Sequence, residues 1–141
     1  MTDVLTSAQR HRCMAAIRSK NTGPELAVRR IVTALGFRYR LHRRDLPGSP
    51  DLVFGPLRRV ILVHGCFWHL HNCRYGRVRP KTNAKFWQDK RASNRLRDRR
   101  SIRALRQEGW KVLVIWECQL RDPERIAERV IEFLALDMPT K

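Results

Sequence analysis

Residues 58–76 read RRVILVHGCFWHLHNCRYG. The first half carries the aliphatic, β-branched run Val60-Ile61-Leu62-Val63, which suits a strand in a packed core. The second half places three histidines, two cysteines and three aromatics in the thirteen residues from His64 to Gly76. A core strand could bury Phe67 and Trp68, but His64, His69 and His71 each have ring nitrogens that need a partner once out of water. Around Gly65, therefore, the stretch passes from strand to site.

Working outward, FRYRLH (37–42) and PDLVF (50–54) are two further β-rich pieces. DLPGS and GPLR separate the three, and their Pro and Gly residues form turns, so the spacing predicts an antiparallel meander. Upstream, TGPELAVRRIVTALG (22–36) predicts a helix. Thr22 and Glu25 stand in capping-box spacing, Val28, Ile31, Val32 and Leu35 share a face, and Gly36 ends it. Downstream, Ala84 to Glu108 predicts a helix with a thin apolar stripe of Ala92, Leu96, Ile102 and Leu105, closed by Gly109. WKVLVIWE (110–117) reads as a strand covered on both faces. DPERIAERVIEFLAL (122–136) reads as a helix capped by Asp122, with Pro123 at its first position and Ile126, Val130, Phe133 and Leu134 along one side. The order α, three β, α, β, α predicts an α/β fold, a mixed sheet with helices on its faces.

The 141 residues suffice for one domain with its own core. Residues 1–20 read as a basic N-terminal arm that orders on a partner, and 21–141 as the single domain. Thirty Lys and Arg against 13 Asp and Glu leave a formal charge of +17, which concentrates polyanions around the molecule. Seven basic residues, Lys90, Arg91, Arg95, Arg97, Arg99, Arg100 and Arg103, are opposed only by Asp98 in their stretch. A solvated helix face has the same look, but with this net charge a phosphate-binding surface is the stronger reading. No apolar run reaches membrane-spanning length and no signal-peptide core precedes the body, so a cytoplasmic protein is expected.

Cys66, His71, Cys73 and Cys118 form a four-ligand set suited to zinc, with His69 as a rival to His71. Small buried cysteines would otherwise account for part of the pattern. Cys13, in the arm, stands apart. If the zinc is closed, His64 and His69 are left to move protons near neutral pH. Asp51 adds a carboxylate suited to a hard cation such as Mg2+. A turn role for Asp51 and a capping role for Glu25 are the plain alternatives.

The blocks PGSPDLVF, VILVHGCFWHLHNC, FWQDKRASNRLRDRR and GWKVLVIWEC, in this order, resemble the very short patch repair (Vsr) endonucleases, bacterial enzymes that nick mismatched DNA. The likeness runs from about Arg18 to Cys118. It implies a restriction-endonuclease-like core with a structural zinc on Cys66, His71, Cys73 and Cys118, and Mg2+-dependent nicking of one strand beside the thymine of a T:G mismatch. By the same resemblance Asp51 holds Mg2+ with the backbone carbonyl of Val63, His64 and His69 are catalytic, and Glu25 is an acidic helix residue near the active site. Phe67, Trp68 and Trp87 insert beside the mismatched pair. Lys90, Arg91, Asn94, Arg95, Arg97, Arg99 and Arg100 are expected on DNA. The expected enzyme is a monomer working on double-stranded DNA, and whether other mismatch-repair proteins stimulate it is not readable from the sequence. The family commonly has Thr at the position of Val63; a backbone ligand tolerates the change. The N-terminal arm matches poorly and the C-terminus after Leu136 is short.

Related nucleases pair an Asp with a second acidic residue and a Lys two positions on, whereas Val63-His64-Gly65 offers neither, so histidine chemistry has to replace lysine. Two other functions compete. A non-catalytic zinc-stabilised nucleic-acid-binding protein accounts for the charge, the aromatics and the cysteines but leaves Asp51, His64 and His69 idle. A zinc that itself activates water requires an open coordination position, which four good ligands do not leave.

Overall fold

The computed structural model describes residues 22–66, 73 and 82–135. The arm, the C-terminal residues from 136 on, and the site residues Phe67, Trp68, His69 and His71 lie outside the described set.

Helix α1 spans Gly23–Ala34. Thr22 caps it, its hydroxyl accepting the Glu25 amide at 3.3 Å, and Pro24 sits in the first turn where no donor is missed. Three antiparallel strands follow: β1 (Arg40–Leu41), β2 (Leu52–Phe54) and β3 (Arg59–His64). Helix α2 (Ala84–Gln107) then crosses over to β4 (Lys111–Trp116), which pairs parallel with β3 along six residue pairs from Arg59↔Lys111 to His64↔Trp116. A 3-10 turn (Glu117–Arg121) leads into α3 (Pro123–Ala135). The sheet order is β1-β2-β3-β4, so the meander and the mixed sheet expected from the turn residues are both present.

Each face of the sheet carries its own apolar layer. Leu52, Phe54, Ile61 and Ile115 point to one side, against Val28 and Val32 of α1 and Ile126, Val130 and Leu134 of α3. Val53 and Val60 point to the other, where Leu105 of α2, Trp110 and Leu46 cover them. The alternation is the two-residue period of a strand, and each buried aliphatic side chain contributes roughly 1.5–3 kcal/mol.

The apolar stripe expected on α2 is corrected. Leu105 is fully buried and Ile102 half-buried, but Ala92 is exposed and Leu96 is 54% exposed. At 24 residues α2 is about 36 Å long, while the six-residue strands reach about 20 Å. The helix is longer than the sheet it packs on, so its N-terminal half has little apolar surface to cover.

The loop that delivers Asp51 is pinned to α2. Gly48 has φ 73°, and a Cβ there would stand 2.7 Å from the Cβ of Ser101. Only glycine allows both the left-handed turn and that approach.

Candidate functional site

Four segments converge at one end of β2 and β3. Helix α1 presents Glu25 from its first turn, His42 directly follows β1, β2 begins beside Asp51, and β3 contributes the amide of Val63. Oδ2 of Asp51 accepts the Val63 N–H at 2.7 Å. Nε2 of His42 lies 2.9 Å from each carboxylate oxygen of Glu25. Ligand atoms of Glu25, His42 and Asp51 all fall within 4.8 Å of one another.

Donor atoms at this spacing are close enough to share one cation. Glu25 is 1% exposed, and its carboxylate turns inward to His42 and Asp51. Burial pushes the Asp51 carboxyl up to about 7; the Val63 amide pulls the other way, and the neighbouring Glu25 adds to the rise. Two acidic groups held this close in a poorly solvated place are relieved by a shared positive ion, and oxygen donors suit a hard divalent one. The carboxylates of Asp51 and Glu25 are thus chemically fit to hold Mg2+.

His64 ends β3, next to the residue that binds Asp51. It is 7% exposed, and its ring meets Trp116 of β4 edge to face, 5.0 Å between centroids at 76°. Strand alternation puts its side chain on the same face as Val60, the face that α2 covers.

The cysteines are gathered as the spacing required. Sγ atoms of Cys66, Cys73 and Cys118 lie within 4.8 Å of one another. Parallel pairing of β3 with β4 accounts for this, because it brings the chain beyond His64 and the chain beyond Trp116 to the same end. The Cys118 amide donates to Cys66 Sγ at 3.3 Å, and the Gln119 side chain, which accepts the Trp116 amide at 3.0 Å and Arg129 at 2.9 Å, shapes the turn. Burial drives the Cys66 thiol up to about 12 and raises Cys118 as well. Three soft donors at this separation fit zinc, and the raised thiols of Cys66 and Cys118 hold their protons until a cation displaces them. His71, the fourth expected ligand, lies outside the described residues.

Helix α2 carries the basic stretch. Lys90, Arg95, Arg97, Arg99 and Arg100 are exposed and Asn94 is half-buried, while Arg91 is only 4% exposed, and burial lowers its pKa. Arg91 is therefore set apart from the exposed basic side chains it was grouped with. Trp87 is half-buried in the first turn and meets the 56% exposed Phe86 edge to face at 5.0 Å.

One site residue escaped the reading of the sequence: His42. Its signal was the hairpin. Antiparallel pairing of Leu41 with Leu52 sets His42 opposite Asp51, and the His42 amide does donate to the Asp51 carbonyl at 3.2 Å.

Comparison with known proteins adds four findings. The family model for DNA mismatch endonuclease Vsr matches residues 2–75, so the N-terminal arm, expected to match poorly, falls within the family pattern. Over 134 residues the chain is 48% identical to the type II nicking enzyme V.XorIIP of Xanthomonas oryzae pv. oryzae, covering 95% of this chain and 98% of that one. Over 131 residues it is 40% identical to DNA mismatch endonuclease Vsr of Escherichia coli, covering 93% and 83%. Among solved structures, the catalytic domain of the homing endonuclease I-Bth0305I matches with a TM-score of 0.58 at 19% identity, over 84% of this chain and all of that one. That likeness is one of fold, the restriction-endonuclease-like arrangement of a mixed sheet between helices.

Proposed function

The chain belongs to the DNA mismatch endonuclease Vsr family and is a DNA-cutting enzyme, and from that premise we propose that it nicks one strand beside the thymine of a T:G mismatch in a Mg2+-dependent reaction. The observation that carries the catalytic part is the convergence of Asp51 and Glu25 at the end of β3, with Asp51 held by the Val63 amide.

Mg2+, bound by Asp51 and the Val63 carbonyl, would stabilise the charge that develops on the scissile phosphate and its leaving oxygen. The chain's own residues do the rest. Glu25, beside Asp51, would help hold that ion and orient water next to it. His64 and His69 supply the proton transfers that a lysine performs in related nucleases, to the leaving oxygen and from the attacking water. Cys66, Cys73 and Cys118, with His71, would hold a structural zinc that anchors the ends of the segment in which His69 lies.

Substrate recognition divides between two surfaces. The exposed basic side chains of α2 meet phosphates without reading sequence. Phe67, Trp68 and Trp87 stack beside the mismatched pair. The protein acts as a monomer on double-stranded DNA in the cytoplasm; its relatives' printed names and its formal charge of +17 support the DNA substrate.

The test is direct: purified protein is incubated with Mg2+ and T:G or matched duplexes, and any cut is mapped. A single Mg2+-dependent nick 5′ or 3′ to the thymine, seen only in the mismatched duplex, is expected. Binding without cleavage at any Mg2+ concentration would favour the non-catalytic nucleic-acid-binding alternative.

A further inference from the structure

We propose that His42 is a positioning residue of the cation site, holding the Glu25 carboxylate over Asp51; the inference rests on the reading of Asp51 and Glu25 as the cation-binding acids.

Glu25 and Asp51 are like charges in a poorly solvated place, and something must keep Glu25 turned towards its neighbour. Arg29, one helical turn on, reaches Oε2 at 3.4 Å and is 25% exposed, so it draws the carboxylate along the helix surface. His42 opposes that pull. Its Nε2 stands 2.9 Å from Oε1 and 2.9 Å from Oε2, which centres the ring on the carboxylate and fixes both its direction and its plane. A neutral ring with its proton on Nε2 and a charged ring both donate from that atom, so the role is geometric.

The main chain of His42 is committed to the same task. Its φ is 49°, in the left-handed region that a residue with a Cβ seldom occupies, at the point where β1 gives way to the loop before Asp51. From that conformation its amide binds the Asp51 carbonyl at 3.2 Å while its side chain binds Glu25. One residue thus ties both acids, one through the backbone and one through the ring. Groups that orient metal-binding side chains in this way commonly change metal affinity or activity by about 10–100-fold when removed.

The test is Mn2+ binding to the zinc-loaded protein without DNA, followed by calorimetry and by the electron paramagnetic resonance signal of free Mn2+. His42→Leu is expected to weaken binding about tenfold, His42→Gln, whose amide also donates, to recover most of it, and Asp51→Asn to abolish it. In a Glu25→Gln background, His42→Leu is expected to change nothing further, a non-additivity that a general loss of stability would not produce. Melting and zinc content are measured for each variant; His42→Phe, which keeps ring volume and loses the donor, replaces a leucine variant that does not fold. Wild-type affinity in a folded His42→Leu or His42→Phe protein overturns the proposal, as does an equal loss in the Glu25→Gln background. Mn2+ binding that survives Asp51→Asn overturns the cation site and this inference with it. The expected Mn2+ pattern in a protein that does not nick T:G duplexes supports His42 and overturns the mismatch reading alone.

Discussion

The main-chain amide of Val63 donates to Oδ2 of Asp51 across 2.7 Å, so a central strand, and not the loop that carries it, fixes the carboxylate at the cation site. That single bond does not offset burial. The Asp51 carboxyl sits at about 7, well above its ordinary value near 3.8. The same group that would bind a cation is therefore a strain on the cation-free fold.

Asp51→Asn should abolish nicking and yet raise stability without divalent metal. An acid whose pKa is raised by folding is penalised only when ionised. The penalty is absent below pH 4, grows between about 4 and 7, and is complete above 7, at about 1.4 kcal/mol per unit of displacement. Thermal melts in a chelator too weak to strip zinc should show the variant above wild type at pH 8, with the gap closing towards pH 4. Added Mg2+ should narrow the gap at pH 8 by stabilising wild type alone. A variant no more stable than wild type at pH 8 would mean that Asp51 is not strained.

Cys118→Ser should lose zinc and lower the melting temperature, because binding energy at a structural zinc is largely folding energy. Cys118 bridges the end of β4 to Cys66 just beyond β3, so the loss should also speed amide exchange around Cys66 and Trp116. Unchanged zinc content and melting would remove Cys118 from the ligand set.

The parts of this architecture that local chemistry determines were legible in the sequence. Thr22 before an apolar-periodic run marked α1, the Pro and Gly turns marked the β1-β2-β3 meander, and the uninterrupted WKVLVIWE marked a strand, although β4 ends the sheet among the described residues and only Ile115 of it is buried, short of the cover on both faces that its sequence suggested. The cysteine cluster was legible only in part: the spacing of Cys66 and Cys73 resembles no common finger pattern and small buried cysteines account for some of it, and it is the parallel pairing of β3 with β4 that brings Cys118 to them. Ala92 and Leu96 misled because a helical stripe says nothing of how far the opposing sheet extends. His42 was hidden because its role arises from strand register and one left-handed residue, neither of which leaves a compositional trace.

His69→Ala should leave folding and mismatch binding intact while lowering the single-turnover nicking rate by ~100-fold or more, the usual scale of lost acid–base catalysis. Rates at saturating DNA, with affinity measured separately in Ca2+, isolate the chemical step. Cleavage near the wild-type rate would take His69 out of the mechanism and leave the proton transfers to His64.

Trp68→Ala tests how the mismatch is recognised. A T:G wobble stacks less securely than its Watson–Crick neighbours, so wedging an aromatic ring beside it costs less unstacking energy than in matched DNA. Base–aromatic stacking is worth about 1–3 kcal/mol per ring, so the variant should bind T:G duplex roughly tenfold more weakly or worse. Matched duplex, held mainly by phosphate contacts from Lys90, Arg95, Arg97, Arg99 and Arg100, should lose much less. A core role for Trp68 would show instead as a lower melting temperature, since buried aromatics contribute heavily to packing. Affinities of wild type and variant for T:G and T:A duplexes are therefore compared at one salt concentration, beside thermal melts. Equal losses on both duplexes in a well-folded variant would sink the wedge and leave selectivity to hydrogen bonds at the base edges.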